Sequence, residues 1–317
     1  MVTNSPMLIE HPTPALSPTL LPEQLVMMRL TTETQGEVLS FLAERPLHNV
    51  VMTGLIRDHG IESKLNRGIF FGCRNESDAL LGVALIGHAV FLDARTEDAT
   101  RRFAQLAQQF PPAHMLMGEK DSIERFWNYY AANSRPKHRL CREVLFEMTQ
   151  RLPQSWAVPG LRAADVSDLE RVLPVHAAMA CEESSVNPLQ VDPEGFRRRC
   201  RQRIEEGRTF VLVEQSQLIF KADIVSDTPD VIYIEGVHVH PEFRGHGYGS
   251  RCMAQLTGEL LQRTRSISLL VNEERRQAQE FFKSLGFIGR GLYHTIFLRT
   301  QTEAVQGTGT KDLGTPH

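Results

Sequence analysis

The spacing of apolar positions changes period repeatedly along this chain, and each change marks an element. Val231 to His240 is apolar or β-branched at most positions, the pattern of a strand covered on both faces mid-sheet, and Pro241 ends it. A helical period follows, with Met253, Leu256 and Leu260 on one side. Ser266 to Val271 is a second buried strand, ending at Asn272. Glu274 to Leu285 is a second helix, with Ala278, Phe281, Phe282 and Leu285 on one face and Gly286 as its stop. Strand, helix and strand in that order predict a right-handed crossover between parallel strands. Tyr293 to Leu298 is the closing strand.

The same order of elements occurs earlier. Gln24 to Leu30 is a strand, Thr31 or Thr32 caps a helix reaching about Glu44 with Val38, Phe41 and Leu42 inward, and a second helix spans roughly His48 to His59. Strands at Gly68 to Cys73, Ala79 to Ile86 and Ala89 to Leu92 follow. A helix at Thr96 to Phe110, a strand at His114 to Met117, a helix at Ser122 to Asn133 and a strand at Arg142 to Met148 complete this half. From Leu161 a short strand, helices at Ser167 to about Cys181 and about Asp192 to Glu206, and strands at Thr209 to Glu214 and Leu218 to Val225 lead into the crossover. The chain is expected to hold two copies of one fold, at 23–151 and 161–299. A proline-containing link at 152–160 joins them, and disordered ends at 1–22 and 300–317 flank them.

Between the strand at Val231 to His240 and the next helix stands Arg244-Gly245-His246-Gly247-Tyr248-Gly249. Three glycines there let the backbone approach a ligand closely, with N–H groups turned outward at the positive end of a helix dipole, which suits a pyrophosphate. The equivalent turn of the first copy reads Asp93-Ala94-Arg95, without glycine, so that copy is expected to fold without the cradle.

Composition narrows the class. The 317 residues carry a net charge of −3, which argues against a general affinity for nucleic acid or anionic membranes. The first 23 residues lack a basic, apolar leader and nothing later approaches a membrane span, so a cytoplasmic protein is expected. Cys73, Cys141, Cys181, Cys200 and Cys252 are odd in number and have no paired metal-type spacing, so reduced thiols are expected rather than disulfides or zinc.

Arg244-x-x-Gly247-x-Gly249 after a strand ending His-Pro-Glu-Phe resembles the signature of the GNAT superfamily of acyl-CoA-dependent N-acyltransferases. Val271-Asn272, Ala278 and Phe281-Phe282-Lys283-Ser284-Leu285-Gly286-Phe287 resemble its second half. Two positions depart from it: Arg275, where many members carry a second Asn, and Phe282, where many carry a proton-donating Tyr. The resemblance implies an α/β (α+β) fold, in tandem copies of a mixed, mostly antiparallel sheet with a central parallel β-α-β crossover and flanking helices. It implies acetyl-CoA as acyl donor, no metal, and a small-molecule amine or peptide N-terminus as acceptor, with the oligomeric state open. It places Arg244, Gly245, His246, Gly247, Tyr248 and Gly249 on the pyrophosphate. Val237, His238 and Val239 lie along the pantetheine, with Asn272 and Phe281 beside it.

At neutral pH only about one alkylamine in a thousand is unprotonated, so a base is needed. Glu235 is the candidate. It shares an unbroken strand face with Tyr233, Val237 and Val239, and burial there is expected to raise its pKa; alternatively it pairs with an arginine, or a bulge at Gly236 turns it to solvent. Tyr293 is the candidate acid. Glu182 and Glu183 either overhang the acceptor, as the resemblance implies, or end a solvated helix. The arginines from Arg197 to Arg203 read as solvated surface or as a lure for an acidic acceptor or the cofactor's 3′-phosphate. A catalytically weak acyl-CoA sensor or scaffold is the alternative function.

Overall fold

The computed structural model describes residues 24–298 except 112, 134–135 and 153–156, so the expected disordered ends at 1–22 and 300–317 lie outside the described residues. The first copy runs β1 (Val26–Arg29), α1 (Gln35–Ala43), α2 (Pro46–His59), β2 (Gly68–Arg74), β3 (Leu80–Gly87), β4 (Ala89–Ala94), α3 (Glu97–Ala107), β5 (Met115–Glu119), α4 (Lys120–Tyr130) and β6 (Lys137–Met148). The second runs β7 (Arg162–Ala163), α5 (Leu169–Ser184), α6 (Pro188–Val191), α7 (Pro193–Glu205), β8 (Thr209–Glu214), β9 (Gln217–Asp227), β10 (Val231–Val239), α8 (Tyr248–Leu260), β11 (Ser266–Asn272), α9 (Arg276–Ser284) and β12 (Ile288–Leu298). Helix α5 runs past the expected stop at Cys181 because Ser185 takes the left-handed conformation and its N–H closes on the Cys181 carbonyl at 2.8 Å. The short α6, which periodicity does not reveal, starts from Asn187, whose side chain accepts the Leu189 N–H, and from Pro188 in its first turn.

All twelve strands join one sheet in the order β1-β2-β3-β4-β5-β12-β6-β11-β10-β9-β8-β7. Only β4 with β5 and β10 with β11 are parallel. The last strand of each copy lies against the other copy: β6 pairs with β11, and β12 with β5, while β6 and β12 pair with each other. Packing follows the exchange. Phe146 and Met148 of β6 belong to the second copy's core, and Ile296 and Leu298 of β12 to the first copy's. Each such buried side chain stabilises by about 1.5–3 kcal/mol, so the two halves share their cores as well as their sheet.

Alternate strand residues face opposite helix layers. Phe70, Val83 and Leu85 pack under α1 and α2, whereas Phe71, Ala84 and Ile86 pack under α3 and α4. The second copy repeats the arrangement, with α5 and α7 over Val211 and Leu218 and α8 and α9 over Leu212 and Phe220. Among the described residues no helix is long and apolar enough to cross a membrane.

The exchange predicts that the second copy does not stand alone. A chain starting at Leu152 lacks β5 and β6, which uncovers one edge of β11 and both edges of β12 with their apolar faces. It should elute as aggregate in size-exclusion chromatography and melt without a cooperative transition; a monomeric, cooperatively folding product would contradict this.

Candidate active site

β10 and β11 pair only at Val231–Ser266, Ile232–Ile267 and Tyr233–Ser268, and beyond Tyr233 they part. The cause is a bulge. The register of β10 on β9 shifts between Tyr233 and Ile234, where the parting begins, and again between Glu235 and His238, where Gly236 takes φ +63°. A side chain at Gly236 has no room, since its Cβ would stand 2.7 Å from Lys221 Nζ and 2.8 Å from Asp223 Oδ2. Those two groups form a buried ion pair, Lys221 fully enclosed, and Lys221 also donates to the Gly236 carbonyl at 3.3 Å. Thr209 donates to Asp223 at 2.7 Å, while Arg203 and His176 each stand 3.5 Å away. Burial opposes ionisation of Asp223, yet the charge of Lys221 and then Arg203 holds its carboxyl below the usual range. Burial and the Lys221 charge push His176 down to about 3, so its ring is neutral at neutral pH.

The glycine-rich turn lies beyond the end of the parted strand. Gly245 and Gly247 have φ +78° and +77°, and a Cβ at Gly245 would meet nothing within 4 Å, so this backbone faces open space. Gly247 caps α8 without a side-chain bond, and among the described residues no acceptor takes the N–H groups from Gly245 to Ser250. Those donors, at the positive end of a thirteen-residue helix, fit a diphosphate. Arg244 contributes differently from expectation. Its N–H donates to Pro241 at 3.3 Å, so the amides available begin at Gly245, and its Nε bonds the Val239 carbonyl at 3.0 Å. Gly249 is a close-packing position: a Cβ there would lie 3.1 Å from Val239 and 3.3 Å from Phe281, so Phe281 seats the start of α8 against β10. His246 is tied to the Arg244 carbonyl at 2.9 Å, and Tyr248 lies under the Arg251 guanidinium at 4.9 Å. Asn272 caps the following turn by accepting the Glu274 N–H at 2.8 Å. Burial and nearby Arg244 push His238 down to about 4.

In the first copy the same position is closed. Thr96 caps α3 by accepting the Ala99 N–H, and Asp93 is bonded by Arg45 and Asn49 and stands 3.5 Å from Arg95.

Next to the parted strands, on the face carrying α5 and α7, lies a cavity of about 770 Å³. All five central strands line it at alternate residues, through Met115 and Met117, Thr295 and Phe297, Cys141 and Glu143, Leu270, and Tyr233 and Glu235. Three carboxylates gather there. Glu235 is exposed to the cavity rather than buried among apolar neighbours, because the bulge breaks the strand face on which burial was expected. Glu143, on β6 of the first copy, accepts from Thr295 at 2.7 Å; burial, with Glu235 nearby, pushes its carboxyl up. Glu183, on the last turn of α5, is pushed up to about 7 by burial and then by Glu235 and Glu143. Arg139 of β6 fixes that turn by donating to the Glu182 carbonyl at 2.7 Å and to Ser185 at 2.8 Å, and Glu182 pairs with Arg275. Burial of the Tyr233 phenol, with the Glu235 charge nearby, raises its pKa well above the ordinary value.

Tyr293 is not brought to this cluster. It does not line the cavity, and its hydroxyl bonds His48 Nδ1 at 2.8 Å. Phe282 is core. Glu143 and the cavity residues Arg67, His88 and His114 escaped the sequence reading, since nothing local tells that the first copy's strands border the second copy's site; the one signal was a carboxylate between Cys141 and Leu145 on the inward side of β6. Among the described residues no group of three or more His, Cys, Asp or Glu is placed to hold a metal ion.

Residues 177–287, which contain the parted strands, the glycine-rich turn and α9, match the acetyltransferase (GNAT) family. Over most of its length the chain is also similar in fold to solved structures. One is a GNAT-family acetyltransferase from Colwellia psychrerythraea (TM-score 0.53, 11% identity, covering 87% of this chain and 100% of that one). A Drosophila protein aligns with TM-score 0.61 at 11% identity over 86% and 98% of the two chains. A tandem GNAT protein from the clavulanic acid biosynthesis pathway aligns with TM-score 0.52 at 14% identity over 88% and 100%. No curated protein matches the sequence. The fold is that of these GNAT structures, and within it residues 177–287 match the acetyltransferase (GNAT) family, whose members transfer acyl groups from acyl-CoA.

The bulge network gives a stability prediction. Lys221→Met leaves Asp223 buried with only its weaker partners, so unfolding in urea should show a loss of about 3 kcal/mol, the low end for breaking a buried pair because Thr209 and Arg203 remain. A loss below about 1 kcal/mol would mean the pair does not hold the bulge.

Proposed function

We propose that the protein is a cytoplasmic N-acetyltransferase that moves the acetyl group of acetyl-CoA to a primary amine by direct attack on the thioester. The observation that carries this reading is the opening of β10 away from β11 between the uncapped start of α8 and a cavity holding three carboxylates. The donor supplies a thioester, whose acyl carbon ends on the acceptor nitrogen while coenzyme A leaves as the thiol and the ammonium gives up one net proton.

Within this reading the N–H groups from Gly245 to Gly249 hold the diphosphate, with Arg244 and His246 at the rim of the turn. The backbone of Val237, His238 and Val239, unpaired on the β11 side, and Asn272 align the pantetheine, and Phe281 supports the turn from below. A strand N–H near Val237 polarises the thioester carbonyl. Glu235 takes the acceptor's proton, and Glu143 and Glu183 hold the ammonium beside it and share the charge. The first copy binds no cofactor in this scheme; it supplies a wall of the acceptor cavity. The leaving thiolate, whose conjugate acid has a pKa of about 8.5, departs without a dedicated acid, which fits the engagement of Tyr293 with His48.

That absence of a dedicated acid, with Phe282 buried in the core, also favours a second reading: an acyl-CoA sensor or scaffold with little turnover. Coenzyme A binding without thiol release on any amine would support it over the enzyme.

Gly247→Asp puts a side chain and a negative charge where the diphosphate sits, at a left-handed position, and should abolish coenzyme A binding in calorimetry; unchanged affinity contradicts the cradle.

Glu183 is held near 7, so below neutrality the cluster loses a negative charge that holds the ammonium, and kcat/KM should rise with pH through an acid limb near 7. Glu235→Gln should lower turnover about 10²- to 10⁴-fold with coenzyme A affinity nearly unchanged. Glu183→Gln removes that titrating carboxyl, so the limb near neutrality should disappear while turnover at high pH is retained. The opposite pair of results makes Glu183 the base.

A further inference from the structure

The acceptor cavity is charged with opposite signs at two places. The charges facing Glu183 are Glu235, Glu143, Arg275 and Glu182. Elsewhere on the lining Arg67 faces Arg199 and Asp192. Arg199 is already partnered, bonded to Asp192 at 3.1 Å with its guanidinium over the Phe196 ring. Arg67 is not: among the described residues its guanidinium has no ion pair and no side-chain hydrogen bond. It sits at φ +54° in the turn before β2, exposed to the cavity, with the like charge of Arg199 near it. Beside it His88 and His114 stack with ring centroids 5.1 Å apart, and burial followed by the Arg67 charge pushes His88 down to about 4, so its ring does not add to the charge at neutral pH.

An uncommitted guanidinium inside a cavity lacks the carboxylate that such groups acquire when they serve only structure. Arg197, Arg201 and Arg203 on α7 each have one. Two guanidiniums and one Asp192 carboxylate leave this end one negative charge short, while the three glutamates leave the other end short of positive charge. A diamine satisfies the second deficit and aggravates the first. A molecule with an ammonium at one end and an oxyanion at the other satisfies both, and a planar guanidinium binds carboxylate or phosphate oxygens in pairs. The cavity is of the size that takes a small ligand.

We propose that the acceptor is an amine that also carries a carboxylate or phosphate, with its ammonium among Glu143, Glu183 and Glu235 and its anionic group on Arg67 beside Arg199. This deepens the acyltransferase reading and rests on it. It makes Arg67, from the copy without a cradle, the specificity-determining residue for the reaction of the other copy.

The test uses the full chain and three matched pairs of amines: 5-aminopentanoate and its methyl ester, O-phosphoethanolamine and ethanolamine, and the tripeptide Ala-Ala-Ala with a free or an amidated C-terminus. Binding to the free protein is read by calorimetry, and kcat/KM by thiol release from acetyl-CoA. In at least one pair the anionic member should be favoured tenfold or more in both readouts, and the identity of that pair separates phosphate from carboxylate. Arg67→Gln should bring that ratio close to one, with an unchanged melting temperature as the check of folding. Neutral members equal to or better than anionic ones in all three pairs overturn the proposal while leaving the transferase reading intact. Failure of coenzyme A itself to bind, with no thiol release from any amine, overturns the transferase reading instead. The calorimetric ratios then still decide the acceptor's charge.

Discussion

The buried pair Lys221–Asp223 is the interaction on which the site's geometry depends. It occupies the space where a side chain at Gly236 would stand, bonds that residue's carbonyl, and so keeps β10 bulged where β11 needs a flat neighbour. The parted strands that would receive the pantetheine, and the exposure of Glu235, both follow from that bulge. Desolvating two charges is expensive, and the network around Asp223 offsets the expense by surrounding one carboxylate with Lys221, Arg203, His176 and Thr209. None of these residues belongs to the glycine-rich turn, whereas His176 also lines the cavity, so one network ties the bulge to the cavity wall.

The exchange of final strands makes the cavity a joint construction. β6 places Glu143 beside β11 and anchors the end of α5 through Arg139, while β12 brings Thr295 across to hold Glu143. A first copy whose own turn is closed by Thr96 and Asp93 still supplies strands to the centre of the sheet and to the cavity. The two copies differ at the equivalent helix start: an amide is satisfied by the Thr96 side chain in α3, whereas Gly247 offers no side-chain cap to α8.

Much of this was legible in the sequence because its signals are local. The periods of Met253, Leu256 and Leu260, and of Phe281, Phe282 and Leu285, located helices whose apolar faces do pack on the sheet, and the three glycines marked the turn between β10 and α8. Glu235 was found, and of the surroundings weighed for it the bulge at Gly236, rather than the apolar face, is the one present. An apolar run read as uniformly buried is so only from Val231 to Ile234, since a bulge depends on what lies under it, and Lys221 and Asp223 are more than ten residues away. Glu143 and Arg67 were missed for a related reason. Their relevance arises from which strand lies next to which, a property of pairing between segments more than a hundred residues apart that no window of residues contains.

The place of β12 also governs how the chain must assemble. Tyr293 pairs with Glu119 and with Glu143, so the centre of the sheet closes only when β12, made long after β5 and β6, inserts between them. Contacts of such sequence separation are slow to form, and until they do β5 and β6 are unpaired edges. The nascent first copy therefore emerges with an open slot, and the time it stays open is set by the synthesis of the second.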